Sequence, residues 1–149
     1  MTIRYVHTNL IARDWRTLAD FYVRLFGCKP VPPARDLSGD WLEAATGVEG
    51  AHITGMHLRL PGHGDTGPTL EIFSYDAAAE RPDVAPDTPG FAHIAFLVDD
   101  VAAMAEAVLA AGGSAVGDLA NREMPGVGRL EFRYMRDPEG NIIELQSWK

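Results

Sequence analysis

"GFAHIAFLVDD", Gly90–Asp100, is the stretch on which the fold turns. Its apolar, strand-sized run predicts a β-strand, with one histidine, His93, among Phe91, Ala92, Ile94, Ala95 and Phe96. Asp99 or Asp100 then supplies a helix N-cap. Val101, Met104, Ala105, Val108 and Leu109 form the apolar stripe of a helix that ends at Gly112–Gly113. The same grammar stands near the start of the chain. "IRYVHTNLI" (Ile3–Ile11) predicts a strand, and Asp14 a cap. Trp15, Leu18, Tyr22, Leu25 and Phe26 follow at helical spacing, and Gly27 provides a stop. His7 to Gly27 and His93 to Gly113 span equal distances, so the two copies are offset by 86 residues.

Each copy continues into strand signals. In the first these are "HITGMHLRL" (His52–Leu60) and "TLEIFSY" (Thr69–Tyr75). In the second they are "RLEFRYM" (Arg129–Met135) and "NIIELQSW" (Asn141–Trp148). "DPEGN" joins the last two as a hairpin turn, Pro138 presetting φ and Gly140 free to take φ > 0. "CKPV" predicts only a short strand broken by Pro30. Pro32–Gly50 and Asp76–Pro89 have no pattern and are expected as long loops of the lid or rim kind, with Trp41 and Leu42 either anchoring the first to the body, the preferred reading, or forming part of a pocket wall. The chain therefore reads as a duplicated strand–helix–strand–strand–strand unit, an α+β protein with modules at about 1–76 and 90–149 of one domain.

Strand residues alternate faces, which sorts the polar residues. Val6 and Leu10, Leu70 and Ile72, Ile94, Phe96 and Val98, and Ile143 and Leu145 are assigned to the helix-packed side. His7 then faces away with Tyr5 and Asn9, Glu71 with Phe73 and Tyr75, His93 by itself, and Glu144 with Gln146. One histidine and one glutamate thus come from each copy, at equivalent positions. Imidazole and carboxylate donors suit a divalent ion of the Zn, Ni, Co, Mn or Fe kind. The same parity brings His57, Arg59, Arg129, Glu131 and Arg133 to the pocket side. Arg59 and Arg133 are candidates for an anionic substrate group.

Bulk properties narrow the function classes. Length fits one domain, and 46% hydrophobic with 23% charged residues is a globular composition. A net charge of −8 excludes the basic face that nucleic acid or an anionic membrane requires. No apolar run has membrane-spanning length, and "MTIRYVHTNL" carries no signal-peptide pattern. A lone cysteine, Cys28, forms no internal disulfide and fits a reducing, cytoplasmic setting as a small buried hydrophobe.

"YVHTNLIARDWRTLADFYVRLFGCKPV", "GFAHIAFLVDD" and "DPEGNIIEL" resemble signature segments of the vicinal oxygen chelate superfamily, the glyoxalase, bleomycin-resistance and extradiol-dioxygenase group. The likeness runs from about Thr2 to Ser147. It implies two βαβββ modules forming a cupped mixed sheet, helices on the outer side, around one divalent metal ion. Its ligand positions fall on His7, Glu71, His93 and Glu144. The glutamate at position 71 resembles glyoxalase I, lactoylglutathione lyase. That implies a metal-dependent lyase or isomerase that chelates vicinal oxygens of a small-molecule substrate and shuttles a proton through an enediolate. Glu144 is implied as base, with Glu71 returning the proton or sharing the role. A homodimer is implied, with sites completed in one chain or across the dimer. Asn9, His57, Arg59, Tyr75 and Arg133 are the candidate substrate-binding residues. Bacterial glyoxalases carry arginine and asparagine for glutathione where this chain has Ile11 and Tyr75, so the resemblance reaches the metal chemistry but not that substrate. Alternatives are a metal-free antibiotic- or toxin-binding resistance protein, a methylmalonyl-CoA epimerase-like enzyme and an extradiol dioxygenase-like enzyme.

Overall fold

The computed structural model describes all residues, Met1–Lys149. It divides into two compact units, Met1–Glu80 and Arg81–Lys149, each built around its own open sheet. The first contains β1 (His7–Ile11), α1 (Trp15–Phe26), β2 (Lys29–Ser38), α2 (Asp40–Thr46), β3 (His52–Arg59) and β4 (Thr69–Tyr75). The second contains β5 (His93–Leu97), α3 (Val101–Ala110), β6 (Ser114–Ala115), β7 (Ala120–Met124), β8 (Gly128–Arg136) and β9 (Ile142–Trp148). Strand order is β1-β4-β3-β2 in one sheet and β5-β9-β8-β6 in the other, with β7 paired to β8. In both, the first strand lies parallel to the last and the remaining pairs are antiparallel. The duplicated βαβββ plan expected from the sequence is the observed α+β fold.

Local chemistry sets the helices. The Asp14 carboxylate accepts from the amides of Arg16 and Thr17 at 3.0 and 3.2 Å, satisfying donors that the first turn of α1 leaves free. Hydrogen bonds from Thr17 hold that carboxyl below its ordinary range. Gly27 ends α1 at φ 66°, and its amide reaches the Tyr22 carbonyl. Between these caps Trp15, Leu18, Ala19, Phe21, Tyr22 and Phe26 are buried on one side. Asp100 caps α3 by accepting from the Ala103 amide at 2.9 Å. Leu58, Leu70 and Ile72 lie on the helix-packed face of the first sheet and Met135, Ile143 and Leu145 on that of the second, all without solvent exposure. Each such burial contributes roughly 1.5–3 kcal/mol.

Several local expectations are corrected. "CKPV" is the start of a ten-residue strand, not a short one. β2 is the edge of its sheet, where only one side of the strand pairs and proline is tolerated, and the Pro32–Pro33 pair is absorbed in a register break between Val31 and Arg35. Pro32–Gly50 is likewise no loop: it holds the rest of β2 and all of α2. Within it Leu42 is the anchor, buried with Ala51, Ile53 and Phe73, whereas Trp41 is 60% exposed. β1 begins at His7 rather than Ile3, because β4 offers it partners only from Thr69 onward. Val6, expected on the helix side, is exposed ahead of the strand.

Candidate functional site

The first unit builds its polar cluster around Glu71. β4 lies between β1 and β3, and the two registers set Asn9 and His57 directly beside Glu71. Cross-strand partners share a face, so all three side chains project from the side opposite α1, as does His7 two residues before Asn9. Asn9 Nδ2 donates to Glu71 Oε2 at 2.7 Å. His57 Nε2 lies 2.9 Å from Glu71 Oε1, and His7 Nε2 lies 3.6 Å from Oε2. The His57 ring also contacts Thr69, its Nδ1 lying 3.1 Å from Oγ1. Burial pushes His57 below its ordinary range, against the opposing pull of Glu71. That shift favours the neutral ring, in which Nε2–H donates to Glu71 and Nδ1 accepts from the Thr69 hydroxyl.

The second unit repeats the pattern with one change. β9 lies between β5 and β8, pairing Glu144 with Ala95 on one side and Tyr134 on the other. His93, two residues before Ala95, brings Nε2 to 2.9 Å from Glu144 Oε2. The Tyr134 hydroxyl donates to Glu144, and its ring centroid is 5.0 Å from that of His93. Burial first, then the charge and hydrogen bond of Glu144, raise the Tyr134 phenol, so it stays a donor. In both units the carboxylate is the sheltered member: Glu71 and Glu144 side chains are 14% and 15% exposed, His7 and His93 40% and 30%.

Imidazole and carboxylate are donors of the kind that divalent metals of the Zn class take. Two ligands sharing one ion at about 2.1 Å, with an angle of about 90–110°, stand roughly 3.0–3.4 Å apart. The nitrogen–oxygen separations of 2.9 and 3.6 Å fall close to that spacing. No group of three or more His, Cys, Asp or Glu residues is arranged to hold an ion by itself. Each unit supplies two donors.

The remaining expected site residues separate. Asn9 and His57 join Glu71, and Arg59 lines a cavity with His57. Tyr75 packs against the apolar cluster of Leu42, Ala51, Ile53 and Phe73. Arg133 is a correction. It pairs with Leu145, which is fully buried on the α3 side, so Arg133, and Arg129 and Glu131 with it, lie on the face opposite Glu144. Arg133 donates through Nε to the Gly117 carbonyl at 2.9 Å. Tyr134, which the alternation sends to the helix side if Arg133 faces the pocket, is the residue that reaches Glu144. In the structure Tyr134 opposes Glu144 as His57 opposes Glu71, a correspondence that only the strand registers reveal.

No helix is long and apolar enough to cross a membrane. No match is found among curated proteins. Among solved structures, a glyoxalase family protein from Bacillus cereus superposes with a TM-score of 0.81 at 16% identity, covering 99% of this chain and 95% of that one. A glyoxylase/bleomycin resistance protein/dioxygenase domain from Frankia covers 100% of both chains at 18% identity and a TM-score of 0.61. A glyoxalase family protein from Enterococcus faecalis matches at 22% identity and a TM-score of 0.59, covering 97% and 96%. These identities speak for the fold alone. Residues 4–145 match the family profile itself, and on that match the chain belongs to the Glyoxalase/Bleomycin resistance protein/Dioxygenase superfamily.

Proposed function

We propose that the protein is a metal-dependent lyase or isomerase of glyoxalase type, acting on a small molecule that carries adjacent oxygens. The observation that carries this reading is the repeated histidine–glutamate pair, present once in each unit at ligand-like spacing. On this reading His7, Glu71, His93 and Glu144 hold one divalent ion of the Zn, Ni, Co, Mn or Fe class, within one chain or across a homodimer. When bound, the ion would supply Lewis acidity to the two substrate oxygens. The proton is moved by the chain's own groups. Glu144 is assigned as the base that takes it from the adjacent carbon. Its sheltered carboxylate is restrained by His93 and by the Tyr134 hydroxyl, a neutral donor that can release it. Glu71 is held by Asn9 and His57, with His7 close by, so it is the better fixed ligand.

Elemental analysis after incubation with each of the five ions, followed by turnover of a hemithioacetal, tests the reading. The expected results are one ion per chain and a loss of activity of at least about 10²-fold in Glu144→Gln with the fold intact. A chain that takes up none of the ions would overturn it.

A further inference from the structure

The first unit contains a cavity of about 190 Å³ whose lining includes Arg4, Arg35, Arg59, His57 and Thr69. Three arginines thus line one cavity in a chain whose net charge is −8. None of the three is ion-paired with a carboxylate. Arg35 and Arg59 are instead anchored by their own backbone surroundings, each donating through Nη1 to a carbonyl, that of Pro33 and of Gly67 respectively. Both side chains are half-buried, which aims their remaining donors while restricting their access to water. Like charges that line one partly desolvated cavity repel. An anion relieves the repulsion and accepts the free donors.

The cavity also adjoins the Glu71 cluster. His57 belongs to both: its Nδ1 meets Thr69 Oγ1 at the cavity wall, and its Nε2 meets Glu71 Oε1. An anion among the arginines therefore lies one imidazole ring away from a proposed metal ligand. The volume corresponds to roughly six waters at about 30 Å³ each, room for one compact anionic head.

We propose that this cavity is an anion subsite, which receives a carboxylate or phosphate group borne by the substrate in addition to its vicinal oxygens. The assignment of that anion to the substrate rests on the enzymatic reading above, whereas anion binding itself does not. The test uses the metal-free full chain at low ionic strength, titrated calorimetrically with inorganic phosphate and separately with succinate. Amide chemical shifts of Gly67 and Thr69 are followed in parallel. Saturable binding of at least one probe is expected, with shifts at those amides. Arg35→Met and Arg59→Met should each weaken it at least tenfold while circular dichroism stays unchanged. Arg24→Met, on the exposed face of α1 and paired with Asp20, should bind as the parent does. The stronger probe identifies the head group as phosphate or carboxylate. Failure of both probes to bind, or binding that the Arg35 and Arg59 variants leave intact, overturns the subsite. A chain that binds the probe but takes up no metal keeps the subsite and loses the lyase reading, so the two fail separately.

Discussion

Replacing Asp137 by asparagine tests whether the β8–β9 turn fixes the register that brings Tyr134 to Glu144. Asp137 is 3% exposed. Its Oδ1 accepts from the amides of Glu139 and Asn141, both at 2.9 Å, and its Oδ2 accepts from Asn141 Nδ2 at 2.7 Å. In Asp137→Asn the amide oxygen can still serve the two backbone donors, more weakly for lack of charge. The new NH₂ group then faces the NH₂ of Asn141, donor against donor. Turning the Asn141 amide over would repair that contact but sacrifice another, because Asn141 Oδ1 accepts from Arg81 at 2.6 Å. One charge-assisted bond is lost and two are weakened, at about 1–3 kcal/mol for the loss and less for each weakened bond. A destabilisation of about 2–4 kcal/mol follows, and for a chain of this size roughly 5–15 °C in Tm. Urea unfolding at constant m-value measures it, and amide exchange across β8 and β9 should accelerate with it. A variant within about 0.5 kcal/mol of the parent would refute the reasoning, since the turn would then owe its form to Pro138 and Gly140 alone.

The other predictions concern the packing and titration of the first unit. A Cβ at Gly55 would stand 2.2 Å from the Ile72 carbonyl oxygen and 2.9 Å from the Phe73 Cα, so Gly55→Ala should destabilise by about 1–3 kcal/mol; parent-like stability would show that β3 and β4 can separate at no cost. His52 sits between Asp36, 2.8 Å from Nε2, and Asp76, 2.7 Å from Nδ1, and these hydrogen bonds, Asp36 first, raise its pKa above the ordinary value. That contribution is fully present below the unfolded pKa of about 6.5 and is lost as pH rises through the folded value, so His52→Gln should lower Tm at about pH 5.5 and not at about pH 9. An equal effect at both pH values would mean that the protonated ring is not what the two aspartates hold. Cys28 is 2% exposed, and burial pushes its thiol up to about 11. A disulfide reagent at about pH 8 should leave it unmodified in the native protein and label it promptly in urea; labelling at the rate of a free thiol would contradict its burial.

What the sequence disclosed follows from where its signals are local. Asp14, Gly27 and Asp100 act through their immediate neighbours, and "DPEGN" specifies its own turn, so the repeat and the boundaries of α1 and α3 were readable. β2 was not, because proline tolerance depends on being at a sheet edge, which no residue of β2 announces. α2 was missed for a related reason: its cap residue, Gly39, makes no side-chain hydrogen bond, so the start signal was absent. β8 misled through its pattern. Leu130, Phe132 and Tyr134 are the alternating apolar residues, and alternation says which residues share a face without saying which face is the core. The register with β9 decides it, and it turns Tyr134 toward Glu144 and Arg133 away.

The repeat also explains why the two carboxylates should differ in use. Duplication places a histidine on the first strand and a glutamate on the last strand of each unit, but leaves the strand opposite the glutamate free to diverge. His57 opposes Glu71, where a second side chain, Asn9, also donates to the carboxylate. Tyr134 opposes Glu144, where residue 95, the counterpart of Asn9, is alanine and offers no donor. A carboxylate gripped by amide and imidazole loses hydrogen bonds on both sides if it moves. Glu71 also has His7 at 3.6 Å as a third polar neighbour, whereas Glu144 has His93 and Tyr134 alone and so moves at lower cost, and a base must move between its resting contact and a substrate carbon. On the proposed reading, the change from Asn9 and His57 to Ala95 and Tyr134 converts a pair of equivalent ligands into one that holds and one that reacts. Ala95→Asn would restore the missing donor beside Glu144. It should slow proton transfer while leaving metal uptake intact, and unchanged turnover in that variant would show that restraint of the carboxylate does not set its role.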